Sequence, residues 1–235
     1  MTLVDRDTGV QCQCPLAAFH IFASIWYGHD YDIPRMPIRA GDVVIDVGAN
    51  YGFFSCYAAS KGARVYAFEP NPIIFEQLKK NIAANHSESL ITARPWALSD
   101  YSGEAQLLRT DRLGGAMSTI VPEFAQRAGV PVLDQVAVRA QRLSEVIELF
   151  DLSSVRLCKI DAEGSEIAIL KGLDRTHCQR LDSLVMEYHP EVYQLSELLA
   201  IPLQWGTHQI SLMDEKPFSG NIVRAVATSS LLCSG

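Results

Sequence analysis

The stretch VVIDVGANYG (residues 43–52) joins a continuous β-branched run to a turn that contains glycine. A run of this kind is typical of a strand that is buried on both faces of a sheet. Glycine in the turn permits positive φ angles and lets a ligand approach the backbone closely. Because ligands of open α/β sheets bind beyond the carboxyl ends of the strands, we expect a small ligand above Gly48 to Gly52.

Outward from this stretch, predicted strands and helices alternate along the chain. Strands are expected at residues 63–68, 90–98, 103–110, 132–140, 155–161 and 181–189, with a final hairpin at 208–214 and 221–228. Helices are expected at 52–61, from Asn71-Pro72 onward, and at 143–150, 165–171 and 191–200. This alternation predicts an α/β fold with a doubly wound, Rossmann-like sheet that is mostly parallel and ends in an antiparallel hairpin.

The length of 235 residues suits one large domain with a small appendage. We place an N-terminal arm and helical cap at residues 1–38 and the main domain at 39–235. Residues 1–15 are expected to be a frayed arm, and the apolar, aromatic residues 16–31 to form a short capping helix. The segment 111–131 has no clear periodicity, which is typical of a functional or mobile loop, and we expect it to form a second wall of the pocket.

Composition argues against several classes of function. The net charge of −7 disfavours a general nucleic-acid binder, because such proteins need a basic face. No run reaches 18 apolar residues, so we expect no membrane span. The N-terminus MTLVDRDTG lacks the basic and apolar regions of a signal peptide, which indicates a cytoplasmic protein. The six cysteines are expected to be reduced, with Cys12 and Cys14 near a flexible end.

The pattern around the first turn is D-x-G-x-x-x-G, which differs from the G-x-G-x-x-G pattern of dinucleotide sites. A carboxylate at Asp46 would repel a pyrophosphate and suits a cationic ligand. S-adenosylmethionine carries both an amine and a sulfonium. Glu69 ends the second strand, where an acidic side chain can accept both ribose hydroxyls. These features favour S-adenosylmethionine over a nicotinamide cofactor, which stays a weaker alternative.

Three motifs resemble those of the FkbM-type, S-adenosylmethionine-dependent methyltransferases: VVIDVGANYGFFS (43–55), AFEPNP (67–72) and KIDAEGSEIAILKG (159–172). Residues 97–103 and 115–119 also resemble the middle section of that family. The resemblance covers about residues 40–190. It implies a class I methyltransferase fold, with a seven-stranded sheet whose last strand is antiparallel. It also implies methylation of a hydroxyl group on a small molecule, such as a sugar or a secondary metabolite.

The resemblance further implies a set of cofactor-binding residues. Glu69 would bind the ribose, and Asp161 would lie near the methionine end of the cofactor. The other members flank the first turn, the end of the second strand and the end of the third: Asp46, Gly48, Asn50, Gly52, Pro70, Asn71, Trp96, Ala97 and Leu98.

Two strand ends supply candidate catalytic residues, Asp161-Ala-Glu163 and Glu187-Tyr-His189. An alcohol becomes a good nucleophile when a base takes its proton. His189 is our first candidate for that base, because histidine titrates near neutral pH, and Asp161 is the second. Asp161, Glu163, Glu187 and His189 offer an alternative role as ligands of a divalent ion such as magnesium or manganese, although the resemblance requires no metal.

Candidate acceptor-binding residues come from the N-terminal segment and from the 111–131 segment. They are His20, Tyr27, His29, Tyr31, Met117 and Ser118. Methylation of an amine, a peptide or a glycan in the same fold is the main alternative to O-methylation of a small molecule. A non-catalytic binding module is a further alternative, disfavoured by the intact turn and acid. We expect a monomer or a homodimer that binds neither nucleic acid nor a membrane.

Overall fold

The computed structural model describes residues 1–33, 36–205, 208–212 and 222–227. Its strands are β1 (Thr2–Val4), β2 (Gln11–Gln13), β3 (Val43–Val47), β4 (Arg64–Phe68), β5 (Ile91–Arg94), β6 (Trp96–Ser99), β7 (Gly103–Thr110), β8 (Val132–Arg142), β9 (Leu157–Ile160), β10 (Ser183–Glu187), β11 (His208–Leu212) and β12 (Ile222–Ala227). Its α-helices are α1 (Phe19–Trp26), α2 (Phe53–Ser60), α3 (Pro72–Ala84), α4 (Pro122–Arg127), α5 (Leu143–Leu149), α6 (Glu166–Lys171), α7 (Arg175–Cys178) and α8 (Leu195–Trp205).

The main sheet has the strand order β5-β4-β3-β9-β10-β12-β11. The four pairings from β5 through β10 are parallel, whereas β12 is antiparallel to both of its neighbours. The last strand thus lies between the two that precede it, which confirms the mostly parallel sheet with an antiparallel final strand. The turn predicted between β11 and β12 lies outside the described residues.

Both faces of the sheet are covered by helices, as a doubly wound fold requires. Successive residues of a strand point to opposite faces. Accordingly Val44 packs in one apolar cluster with side chains of α1, α2 and α3. Its neighbour Ile45 packs in a second cluster with side chains of α5, α6 and α8. The strand β3 therefore lies at the centre of the molecule, and its carboxyl end is fixed from both sides.

A proline divides the strand that the sequence predicts at residues 90–98. Residues before Pro95 form β5, which pairs with β4 in the main sheet. Residues after it form β6, which pairs with β8 in a separate three-stranded sheet of order β6-β8-β7. Proline lacks the N–H that a ladder needs, so the chain leaves the first sheet at this residue.

The expected frayed arm is wrong, because residues 2–13 form an antiparallel hairpin of β1 and β2. Asn81 of α3 accepts the backbone N–H of Gln13 at 2.8 Å and donates to its carbonyl at 3.0 Å. Asn85 makes the equivalent pair of bonds with Gln11. Cys12 is fully buried beneath this junction. The arm is therefore attached to α3 by side-chain amides.

The 111–131 segment also has more structure than expected, since it contains the helix α4, whose Phe124 is buried. The helix expected at 191–200 begins later, at Leu195, and continues to Trp205. Within the described ranges, no helix is both long and apolar enough to cross a membrane.

A buried ion pair joins the two central strands. Asp46 of β3 and Lys159 of β9 are register partners in the parallel pair. The Lys159 Nζ lies 3.2 Å from Asp46 Oδ1, and both side chains are almost completely buried. Lys159 also donates to the carbonyls of Val47 and Gly48. Burial alone would lower the pKa of Lys159, but the carboxylates around it outweigh burial and raise it.

The turn after β3 packs tightly against the segment that follows β9. Gly48 has φ +69°, and a Cβ at this position would lie 1.8 Å from the carbonyl oxygen of Asp161. Only glycine allows the turn to pack this closely against the end of β9. The first turn and the segment that follows β9 are therefore one packed unit.

We predict that Lys159→Met lowers the free energy of unfolding by about 3–5 kcal/mol, because it leaves Asp46 buried without a counter-ion. The double variant Asp46→Asn/Lys159→Met should recover part of that loss. Urea unfolding followed by circular dichroism measures both. A matched control is Lys79→Met, which removes a surface lysine paired with Glu76 and should leave stability nearly unchanged. Equal losses for the two lysine variants would contradict the assignment.

Candidate active site

Two connected cavities open at the carboxyl ends of the central strands. The larger has a volume of about 340 Å³ and lies above β3, β9 and β10. The smaller, of about 50 Å³, lies beside the end of β4 and the start of β6. Gly48, Asn50, Asp161 and Glu163 line both. A ligand with a planar end and a polar end can therefore extend from one cavity into the other.

The residues of the first turn divide into those that line the cavities and those that shape the backbone. Asn50 has φ +53° and donates its backbone N–H to Glu69 at 2.9 Å. Gly52 lines neither cavity; it has φ +82°, and a Cβ there would meet Leu78 Cδ1 at 2.4 Å. Gly48 and Asn50 thus form the floor of the site, while Gly52 lets α2 begin directly after the turn.

Glu69 is buried at the edge of the smaller cavity. Its two carboxylate oxygens accept the backbone N–H groups of Asn50 and Asn71, at 2.9 and 2.8 Å. Burial raises the pKa of Glu69 to about 7, although these two hydrogen bonds oppose the shift. Each oxygen retains acceptor capacity, so the carboxylate can still accept hydrogen bonds from a ligand.

The apolar wall of the smaller cavity comes from the predicted residues Trp96, Ala97 and Leu98, together with Pro70. Trp96 stacks against Phe68 with 6.0 Å between ring centroids. Asn71 has a structural position, since its side chain accepts from the N–H of Ile73 at the start of α3.

The 111–131 segment closes the smaller cavity through Ser118. Its hydroxyl lies 3.1 Å from the Asn71 amide and donates to the carbonyl of Gly115. Both Ser118 and Gly115 line the cavity. The predicted acceptor residue Ser118 therefore faces the cavity that Glu69 borders, whereas Met117 lines the larger one.

Asp46 has a different environment from the one the sequence suggests. It is fully buried and lines neither cavity, and its carboxylate is engaged by Lys159 and by the Ser55 hydroxyl, 2.5 Å away. Its charge is therefore used inside the protein. The expectation that Asp46 would repel the phosphates of a nicotinamide cofactor is therefore wrong, because its carboxylate is buried and paired with Lys159.

Carboxylates dominate the floor of the larger cavity. Asp161 accepts a hydrogen bond from the Tyr31 hydroxyl at 3.0 Å and lies 3.5 Å from Lys159 Nζ. Glu163 has φ +50°, a backbone conformation that non-glycine residues adopt mainly where surrounding structure imposes it. Burial raises the pKa of Glu163 well above its usual range and that of Glu187 to about 8, with Asp161 adding to both shifts.

His189 lies between two carboxylates. Its Nδ1 is 3.2 Å from Glu166 Oε1, and its Nε2 is 3.5 Å from Glu163 Oε2. Burial alone would lower its pKa, but the hydrogen bond and charge of Glu166 outweigh burial and raise it to about 10. The same contact lowers the pKa of Glu166 against the effect of its own burial. The ring is therefore an imidazolium near neutral pH.

The N-terminal residues named as acceptor contacts separate into two groups. His20 and Tyr31 line the larger cavity. Tyr27 is 61% exposed, and His29 pairs with Asp32 at 3.1 Å on the surface. Both residues follow the end of α1 and line neither cavity, so the structure gives no support to a substrate role for them.

Sequence reasoning missed several residues that build this site. Lys159 could have been noticed as a lysine inside an apolar strand. Glu166 has the sequence position of an ordinary carboxylate in a first helical turn, yet it is fully buried. Tyr193 donates to Glu166 at 2.7 Å, and Phe124 contacts the His189 ring edge-on at 5.1 Å. No local pattern marks these two, because their contacts join distant segments.

Comparison with known proteins identifies relatives of this chain. The model of the methyltransferase FkbM domain matches residues 46–206. The chain is 32% identical to methyltransferase sdnD of Sordaria araneosa, over 84% of this chain and 89% of that protein. It is 28% identical to 31-O-demethyl-FK506 methyltransferase FkbM of Streptomyces tacrolimicus, over 81% of each.

A solved structure shares the fold. The crystal structure of methyltransferase FkbM from Methylobacillus flagellatus KT aligns with a TM-score of 0.58 at 18% identity. The alignment covers 85% of this chain, which spans about half of that longer one (49%). The strand order, the glycine turn and the match over residues 46–206 lead to one conclusion: the chain belongs to the FkbM family of methyltransferases.

Proposed function

We propose that this protein is an S-adenosylmethionine-dependent methyltransferase that methylates a hydroxyl group of a small molecule. The observation that carries the proposal is the continuity of the two cavities. One is bordered by Glu69 and an apolar wall, and the other by carboxylates at the ends of β9 and β10. The groups that border the first suit a ribose and a base, and the second is where an acceptor can meet the reactive end of the cofactor.

The residues present fit the chemistry of that cofactor. Glu69 offers free lone pairs to ribose hydroxyls, and Trp96, Ala97 and Leu98 offer an apolar surface to a base. Asp161 and Glu163 bring negative charge to the junction of the cavities, which suits a cationic group. When bound, S-adenosylmethionine supplies a methyl group activated by a sulfonium.

The chain itself must then orient the acceptor and take its proton. His189 is already protonated between Glu163 and Glu166, so it cannot accept a second proton. Glu187 lines the same cavity and, within the described part of the chain, has no hydrogen-bond or ion-pair partner. This geometry favours Glu187 over our first candidate His189 as the base, with Asp161 and Glu163 shaping the field around the acceptor.

The nature of the acceptor draws support from the relatives and from the cavity. One relative is a 31-O-demethyl-FK506 methyltransferase and another a hexuronic acid methyltransferase, of Haloferax volcanii. Apolar side chains, among them Ile21, Ile25 and Met117, line the larger cavity opposite its carboxylates. A mixed surface of this kind suits a small organic alcohol.

Calorimetric titration tests the cofactor directly. We expect the purified protein to bind S-adenosylmethionine and S-adenosylhomocysteine at one site, with no heat from NAD under the same conditions. The adenosine-binding side is formed by residues of the family domain, which is the reason for this expectation. Binding of NAD without binding of S-adenosylmethionine would overturn the proposed function.

The pH dependence of that affinity reports on Glu69. Ribose hydroxyls donate to the ionised carboxylate, whose pKa in the free protein is about 7. Affinity should therefore rise as pH increases from 6 to 8, because less work is needed to deprotonate Glu69. In Glu69→Gln this contribution is absent, so the ratio of the variant's Kd to the wild-type Kd should increase over that range. Titration of the ligand's own groups cancels in the ratio. A ratio independent of pH would contradict the role of Glu69.

Glu187→Gln separates catalysis from cofactor binding. We expect turnover to fall by about 100-fold or more, as the loss of a general base predicts, while the Kd for S-adenosylmethionine stays within about threefold. Turnover is followed as S-adenosylhomocysteine release with a panel of hydroxylated acceptors. The matched control Glu191→Gln changes a carboxylate at the exposed rim of the same cavity and should retain most activity. A Glu187→Gln variant as active as this control would exclude Glu187 as the base.

A further inference from the structure

One ligand atom from each of Asp161, Glu163 and His189 can be chosen so that all three lie within 4.8 Å of one another. The measured separation of His189 Nε2 and Glu163 Oε2 is 3.5 Å. Adjacent ligands of a six-coordinate ion with bonds of about 2.1 Å lie about 3 Å apart, so a small inward adjustment brings these atoms into a coordination sphere. The three residues come from the segments that follow β9 and β10, which are parallel neighbours.

The imidazole is fixed in the orientation that a ligand needs. Glu166 lies behind it, with Oε1 3.2 Å from Nδ1. Glu166 is itself held by the backbone N–H of Ala162 at 2.9 Å and by the hydroxyl of Tyr193 at 2.7 Å. A carboxylate or carbonyl beside the other ring nitrogen is the usual means of orienting a metal-binding histidine, and Glu166 holds that position here as an ion-pair partner. The arrangement therefore directs Nε2 toward Glu163 and the cavity.

The carboxylates also retain unused acceptor atoms. Tyr31 and Lys159 both approach Asp161 through Oδ2, so Oδ1 has no hydrogen-bond partner within the described residues. Both Asp161 and Glu163 line the larger cavity, with about a fifth of each side chain exposed, so a cation from solution can reach their oxygens. Oxygen ligands with one imidazole are a set that magnesium and manganese accept.

We propose that Asp161, Glu163 and His189 bind one divalent cation of the magnesium or manganese class at the acceptor side of the larger cavity. Binding of the ion to His189 Nε2 displaces the proton on that nitrogen, which is released to solvent. Its role in orienting the acceptor hydroxyl rests on the proposed function, whereas the binding site itself does not. Glu187 stays outside the coordination set and is left to accept the proton of the acceptor.

Titration of the tag-free, EDTA-treated protein with Mn²⁺ tests the site, with free Mn²⁺ measured by electron paramagnetic resonance. We expect one bound ion per chain, displaced by excess Mg²⁺. Glu163→Gln and Asp161→Asn should each weaken Mn²⁺ binding by about tenfold or more. A circular dichroism spectrum and an unfolding temperature equal to those of the wild type show that a variant is folded. For a variant that fails this check, Tyr193→Phe provides a second measurement, since it loosens only the support of the imidazole and should also weaken Mn²⁺ binding.

The matched control is Glu148→Gln. Glu148 Oε1 lies 3.1 Å from His177 Nε2, so these residues form another glutamate–histidine pair, and neither of them lines the two cavities of the candidate site. This variant should bind Mn²⁺ as the wild type does. No Mn²⁺ bound at millimolar concentration, or equal affinity in the wild type and in Glu163→Gln, would overturn the proposed site.

The outcomes for the metal and for the proposed function can be told apart. If the protein binds S-adenosylmethionine and methylates an acceptor in EDTA at the same rate as in Mn²⁺, the ion's role in orienting the acceptor is wrong and the function stands, whereas the Mn²⁺ titration alone decides the binding site. If it binds Mn²⁺ at Asp161 and Glu163 but no S-adenosylmethionine, the site stands and the function is wrong.

Discussion

The buried ion pair between Lys159 and Asp46 is the contact on which the rest of the site depends. The two residues are neighbours across the central strands, and the same ammonium holds the carbonyls of Val47 and Gly48. The ammonium also lies 3.5 Å from Asp161, the residue that directly follows the neighbouring strand β9. One side chain thus fixes the glycine turn, the end of β9 and a carboxylate of the cavity. A buried pair adds little net stability by itself, but removal of one partner leaves a charge with no compensation.

Because Lys159 is already paired with carboxylates, its charge is not available to a ligand in the cavity above it. Lys159 is engaged from below, and His189 is engaged by Glu166 and Glu163. The positive charges of the site are therefore already paired within the protein, while Glu187 faces the cavity without a partner among the described residues. A cation entering from solution meets a field that favours it, whether it is a sulfonium or a divalent ion. An acceptor with a carboxylate close to its reactive hydroxyl would be repelled.

Local sequence patterns predicted the main sheet well, because its strands are apolar runs and its turns carry glycine or proline. They also predicted a ligand-binding edge at the carboxyl ends of the parallel strands, where the structure has its two adjoining cavities. They failed where a contact depends on distant residues. Asn81 gives no local sign that it anchors the N-terminal hairpin, and Glu166 resembles any acidic residue of a first helical turn. Asp46 was expected at the ligand-binding turn, yet it lies inside β3 and its partner is Lys159, 113 positions later in the chain and adjacent only after folding.

The two sides of the cavity have different origins in the chain. The family domain spans residues 46–206, which include Glu69, the apolar wall and the carboxylates at the strand ends. The opposite wall includes His20, Ile21 and Tyr31, which precede that range. One wall of the cavity therefore lies within the family domain, and part of the other is supplied by the N-terminal segment. Tyr31 connects the two through its hydrogen bond to Asp161, so the N-terminal segment helps to orient a carboxylate at the end of β9. The shape of the cavity and the orientation of that carboxylate are thus coupled through one phenol.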